Sequence, residues 1–158
     1  MKRWIFFGIM ALLGLSLAAC QGSAPATTAT PAAMMPGRDQ GMMARHMAPI
    51  PEEYAGISNP IPADATSLQK GQALFTTNCS PCHGDRGMGD GVASPVLTPP
   101  PAPVARTSRM MGDDYLYWRI SEGGAQPPFN SAMPAWKAAF SSEEIWDVIN
   151  YIHTLATN

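Results

Sequence analysis

The run Cys79-Ser80-Pro81-Cys82-His83 constrains this chain more than any other feature. Thiols one helical turn apart can each bond a haem vinyl group, while the adjoining imidazole turns onto the iron. The motif occurs once, so one covalently attached haem c is expected, with Cys79, Cys82 and His83 binding it. A C-x-x-C pair also serves as a redox dithiol, a disulfide or half a zinc site. Its context favours haem: an export signal precedes the motif, and a methionine follows at a suitable ligand position. A thioredoxin-like dithiol would need βαβ patterning, which the chain lacks.

That export signal has three parts. Lys2 and Arg3 lead an apolar run from Trp4 to Leu17, closed by Ala18 and Ala19. Residues 1–19 are thus expected to be a signal peptide, and the run is short for a membrane span. Its end, Leu17-Ala18-Ala19-Cys20, resembles the bacterial lipobox, in which the cysteine is lipidated and becomes the first mature residue. Several acyl chains on Cys20 would hold the protein at a lipid membrane, extracytoplasmically, on the periplasmic side or at the cell surface. Assigning Cys20 to lipid also leaves the remaining cysteines as the Cys79/Cys82 pair. The formal charge of -2 excludes the basic surface that nucleic acid binding demands.

Residues 20–36 hold Ala, Thr, Pro, Ser and Gly without apolar periodicity and read as a flexible tether. Residues 37–65 read as a Met/Pro-rich extended segment. Met34, Met35, Met42, Met43 and Met47 lie near His46 in sequence. Thioethers with an imidazole suit Cu(I), which would make the chain a copper-handling accessory protein. Packing of flexible apolar side chains is the commoner use, and an unstructured run specifies no ligand geometry.

Folded order is expected from Thr66, with residues 66–158 forming one all-α domain. Asp64 or Thr66 caps a first helix through Leu68, Gly71, Ala73, Leu74 and Phe75 into the haem motif. The four glycines between Gly84 and Gly91 predict a loop, and the prolines from Pro99 to Pro103 predict extended chain. A second helix is predicted over Asp113–Glu122, stopped by Gly123-Gly124. Ser141-x-x-Glu144 is a capping box for the last, whose stripe is Ile145, Val148 or Ile149, Ile152 and Leu155.

Opposite His83, Met133 is the expected second iron ligand. It lies in the loop Asn130-Ser131-Ala132-Met133-Pro134-Ala135-Trp136, where irregular backbone can aim one side chain inward. A thioether favours Fe(II) and raises the potential. Met110 and Met111 are rivals, and Met88 lies too close to His83 to cross the ring easily. His46 falls in the unstructured stretch and His153 is expected to face solvent. The second ring nitrogen of His83 needs an acceptor, expected from a carbonyl between Pro95 and Pro101. Arg106, Arg109, Tyr117 and Trp136 are open to propionate contact or to packing.

Gly71-x-x-x-Phe75-x-x-x-Cys79-x-x-Cys82-His83-Gly84, Trp118-Arg119-Ile120-Ser121-Glu122-Gly123-Gly124, Ala132-Met133-Pro134-Ala135-Trp136 and Glu143 to Ile152 together resemble class I monohaem cytochrome c. The resemblance spans residues 66 to 156. It implies helices packed around one haem, with Gly71 and Phe75 meeting the Val148–Tyr151 turn. A His/Met-ligated iron leaves no open position for substrate. The resemblance therefore implies an electron carrier, not an enzyme, working in a respiratory or photosynthetic chain. Its partners would be membrane redox complexes as donor and acceptor, or a larger membrane oxidoreductase of which it is a haem subunit.

Overall fold

The computed structural model describes residues 38–156, with side chains from residue 41 onward. Cys20, the tether, Met34 and Met35 lie outside the described residues. The described chain is helical: α1 Arg38–His46, α2 Ala65–Asn78, α3 Ser80–His83, α4 Val104–Thr107, α5 Asp113–Glu122 and α6 Ser142–Leu155, with a short 3-10 turn at Ser94–Val96. This is the all-α class I cytochrome c architecture.

Local chemistry sets the helix ends. Asp64 caps α2, its carboxylate accepting from the amides of Thr66 and Ser67, both at 2.9 Å. At α6 the capping box is complete: Ser141 Oγ accepts from the Glu144 amide, and the Glu144 carboxylate accepts from the Ser141 amide. α5 begins at Asp113, but the cap is Gly112 and no side chain caps it. Gly123, with φ 69°, ends it in a conformation that favours glycine.

Packing of α2 on α6 makes the core. Ser67, Gly71 and Phe75 lie four residues apart on the buried face of α2, and α6 offers Ile145, Val148, Ile149 and Ile152. A Cβ added at Gly71 would lie 2.0 Å from the Asp147 carbonyl oxygen, so only glycine allows this approach. The Phe75 ring meets Tyr151 at 5.4 Å between centroids, as the resemblance implied. Phe75, Ile145, Val148 and Ile149 are at most 1 % exposed, each contributing about 1.5–3 kcal/mol of burial.

Folded order begins well before Thr66. The segment expected to be extended carries α1, and Ala48 is buried. Ile50, Tyr54, Ile57 and Ile61 then pack against the core as a strap. Side chains fasten it: Tyr54 Oη donates to Glu122 Oε1, and the Gly56 amide donates to Asp114 Oδ2 at 3.0 Å. Asn59 Nδ2 donates to Trp146 O and to Asn150 Oδ1, and Asn150 Nδ2 returns a bond to Ile61 O. His46 is therefore not in an unstructured stretch; it lies on α1 with its ring edge-on to Tyr115. His153 is corrected too, because its Nε2 lies 2.8 Å from Asp113 Oδ1 and joins the end of α6 to the start of α5.

Candidate haem site

α2 ends at Asn78, and the chain turns directly into α3. The Cys79 amide still donates to Phe75 O, and the His83 amide donates to Cys79 O at 2.9 Å. Pro81 suits the first turn of this short helix, where no amide partner is needed. The glycine loop then folds back: the amides of Gly89, Gly91 and Ala93 donate to the carbonyls of His83, Cys82 and Pro81. Every carbonyl that α3 would leave bare near the motif is thus used, and the backbone holding the thiols and the imidazole is fixed on both sides.

Cys79 and Cys82 are half-buried and free of any disulfide. Burial, with Cys82 beside it, pushes the Cys79 thiol up to about 12. A thiol so held is neutral at ordinary pH, unlike the lowered thiol of a redox dithiol. Among the described residues, no group of three His, Cys, Asp or Glu is placed to hold a metal ion. Burial also lowers the His83 pKa, opposed by a hydrogen bond to a backbone carbonyl. That acceptor is Ala102 O, 2.8 Å from Nδ1. It lies one residue past the expected Pro95–Pro101 run. A carbonyl only accepts, so Nδ1 carries the proton and Nε2 keeps its lone pair.

Met133 is held by the end of α5. The Gly124 amide donates to Met133 O at 2.8 Å, and Ser131 N donates to Gly124 O at 2.7 Å. Trp136 N and Lys137 N then donate to Ile120 O and Ser121 O. A Cβ at Gly123 would lie 2.6 Å from Met133 O, so the close approach of these strands of chain depends on that glycine. The Met133 side chain is part-buried against the core, as is Met111. Met110 is exposed at 64 % and Met88 is part-buried.

Of the polar candidates, Tyr117 and Trp136 are taken up in packing. Tyr117 lies against Trp146 at 4.2 Å and donates to Ser142 Oγ, while Trp136 stacks on Phe140. Arg106 and Arg109 are exposed. Arg119 was missed: its guanidinium sits 3.3 Å from the Phe129 ring centroid, and burial lowers its pKa. A cation half-buried over an aromatic face carries no sequence spacing that would single it out.

A family model described as cytochrome c oxidase, cbb3-type, subunit III matches residues 66–152. The chain belongs to this family. It is a class I monohaem c-type cytochrome, with haem c covalently bound. It is 29% identical over 127 residues to the cbb3-type cytochrome c oxidase subunit CcoP of Azospirillum sp. (strain B510). It is 28% identical over 121 residues to CcoP of Azospirillum brasilense. Each match covers 75% of this chain and 38% of the relative, so the cytochrome spans under two fifths of these proteins. The solved structure of cytochrome CL from Methylophaga aminisulfidivorans aligns with 19% identity and a TM-score of 0.42, over 58% of this chain and 54% of that one.

The motif fits this group. Cys79, Cys82 and His83 share one fixed helical turn, the thiols are free, and the protonated Nδ1 leaves Nε2 as the donor atom. Among the described residues no helix is long and apolar enough to cross a membrane.

Proposed function

We propose that this cytochrome is a one-electron carrier outside the cytoplasm, in which Cys79 and Cys82 would hold the haem covalently and His83 and Met133 would ligate its iron. The observation that carries the reading is the Nδ1–Ala102 hydrogen bond, which sets the ring tautomer and orientation that an iron ligand needs. Met133 is favoured over Met111 because its backbone is fastened to α5 on both sides. Met110 is too exposed to serve.

When bound, the haem supplies a reversible one-electron couple. The protein's part is to hold both ligands still and to keep water from the iron. With two side chains as ligands there is no open position for a substrate, so the chain transfers electrons without catalysing a reaction of its own.

The names of its relatives support a membrane oxidase of the cbb3 type as the partner complex, which this chain serves as carrier or as a haem-bearing subunit. Anchoring through acylated Cys20, with residues 20–36 as the tether to the folded haem domain, keeps it at the same membrane surface. A Cys20→Ser variant then leaves the membrane fraction; retention there would show that another element anchors it.

Visible and near-infrared spectra test the ligands. The wild type shows one haem per chain, kept through acidified acetone extraction, and the weak near-infrared band of Fe(III)–thioether bonding. Met133→Ala abolishes that band and lets the reduced protein bind carbon monoxide, while Met111→Leu leaves it intact. A band that persists in the Met133 variant overturns the assignment.

A further inference from the structure

The methionines of α1 are placed unlike those of the core. Met111 and Met133 pack against buried residues, whereas Met42, Met43 and Met47 are 45 %, 59 % and 75 % exposed. Gap filling in the core, the ordinary use of this side chain, does not explain three thioethers left in water on little more than one helical turn.

Their register places Met42 and Met43 beside one imidazole, with Met47 next to Met43. Met42 and His46 are four residues apart, Met43 and His46 three, and Met43 and Met47 four; side chains so spaced are neighbours with Cβ atoms about 5–6 Å apart. The Met47 amide still donates to Met43 O at 2.8 Å, so the helical register extends through Met47. The end of the helix is docked as well: the Tyr115 ring meets His46 edge-on at 6.4 Å, Tyr115 Oη donates to Arg45 O at 3.2 Å, and Ala48 is buried. The segment thus holds these side chains on a fixed backbone register, which an unstructured run would not.

Three neutral sulfurs and one nitrogen, with no carboxylate or thiolate among them, suit a soft monovalent ion and not Ca²⁺, Mg²⁺ or Zn²⁺. We propose that Met42, Met43, His46 and Met47 form a Cu(I) site on α1, separate from the haem. The flexible thioethers close on the ion from the solvent side, and His46 fixes its position on the helix.

The test uses the full haem-loaded chain, titrated with Cu(I) against a chromophoric chelator in the reduced state and, in the oxidised state, with Ag(I), which the ferric protein cannot reduce. The wild type takes up one ion without change in the haem spectrum. A M42L/M43L/M47L variant keeps the helix and the haem band but binds both ions more weakly by roughly tenfold or more, the loss expected even from a supporting contact around a metal. His46→Gln, with the methionines intact, weakens binding in the same direction. Absence of stoichiometric uptake by the wild type would overturn the proposal. So would a triple variant that binds as tightly as the wild type, or Ag(I) uptake that bleaches the near-infrared band of the oxidised protein and so occurs at the iron ligand.

Discussion

Where α2 meets α6, backbone lies against backbone. Gly71 sits under the Asp147 carbonyl, Phe75 fills the space beside Tyr151, and Val148 and Ile149 have no exposed surface. The strap from Ala48 to Asp64 crosses α5 and α6 by other means, with isoleucines packed at the edge of the core and with Tyr54, Gly56 and Asn59 hydrogen-bonded to Glu122, Asp114, Trp146 and Asn150. The crossing is closely packed around a small polar cluster of Ser67, Asp147 and Asn150 and is intolerant of added volume. The strap joins part-buried isoleucines to single hydrogen bonds, each worth little alone. A domain can therefore lose strap contacts one at a time, whereas the crossing is kept or lost as a unit.

The sharpest way to break the crossing is Gly71→Ala. One methyl group meets the Asp147 carbonyl, and neither helix can move without opening the core. A cost of about 3 kcal/mol is expected, a large share of the stability of a small domain. Denaturation midpoint and recovery of haem-bearing protein measure it, and an unchanged midpoint would mean that the helices do not approach so closely.

Asn150 belongs to both regions. Its Nδ2 donates to Ser67 Oγ at 2.9 Å in the crossing and to Ile61 O at 3.0 Å in the strap, and its Oδ1 accepts from Asn59. Asn150→Ala strands buried partners on each side and should cost about 2 kcal/mol. Amide exchange separates the two effects: protection falls around Ile61 as well as around Ser67. Loss confined to one region would mean that the two are not coupled through this side chain.

The crossing could be read from spacing because its signals are local or periodic. Ser141 and Glu144 stand three residues apart, and the α6 stripe repeats with the helical turn. Gly71 and Phe75 stood out by their place relative to the haem motif. The strap has no such period: Tyr54 finds Glu122 at a separation of 68 residues, and Asn59 finds Asn150 at 91. Nothing in a proline-rich run announces partners so distant, and its isoleucines are too scattered to mark a face. At the site, residues 79–83 were legible as chemistry, and the Met133 loop as a candidate for it. The carbonyl of Ala102 was not, because every residue carries the same acceptor and only the path of the loop selects one. His153 was misjudged for a related reason, since its partner Asp113 lies on another helix.

Within the strap, Tyr54→Phe removes the bond to Glu122 and should cost about 1 kcal/mol. Burial first, and the bond to Glu122 next, raise the Tyr54 pKa to about 12 from 10.0. The folded value lies above the unfolded one, so this stabilisation is complete below pH 10 and disappears as pH rises towards 12. The wild-type advantage over the variant should shrink across that window. On the acid side, bonds from Lys137 and Tyr54 lower the Glu122 pKa, so its contribution is complete above the ordinary carboxylate value and disappears as pH falls through the lowered one. A constant difference between the two proteins from pH 9 to 12 would show that the phenol does not donate here.

The smallest effect is expected at the rim of the crossing itself. Lys70 Nζ lies 3.0 Å from Glu143 Oε1, with both side chains more than half exposed, and 4.0 Å from Asp147 Oδ2, which is buried without a hydrogen-bond partner. An exposed pair is screened and gains little over water. Glu143→Gln should leave the thermal midpoint unchanged while Gly71→Ala, one residue from Lys70, lowers it sharply. A clear loss in the Glu143 variant would mean that charge at the surface supports the crossing and that its stability is not a matter of buried volume alone. Raising the salt concentration checks the same point in the wild type, since salt screens an exposed pair and leaves buried volume unaffected.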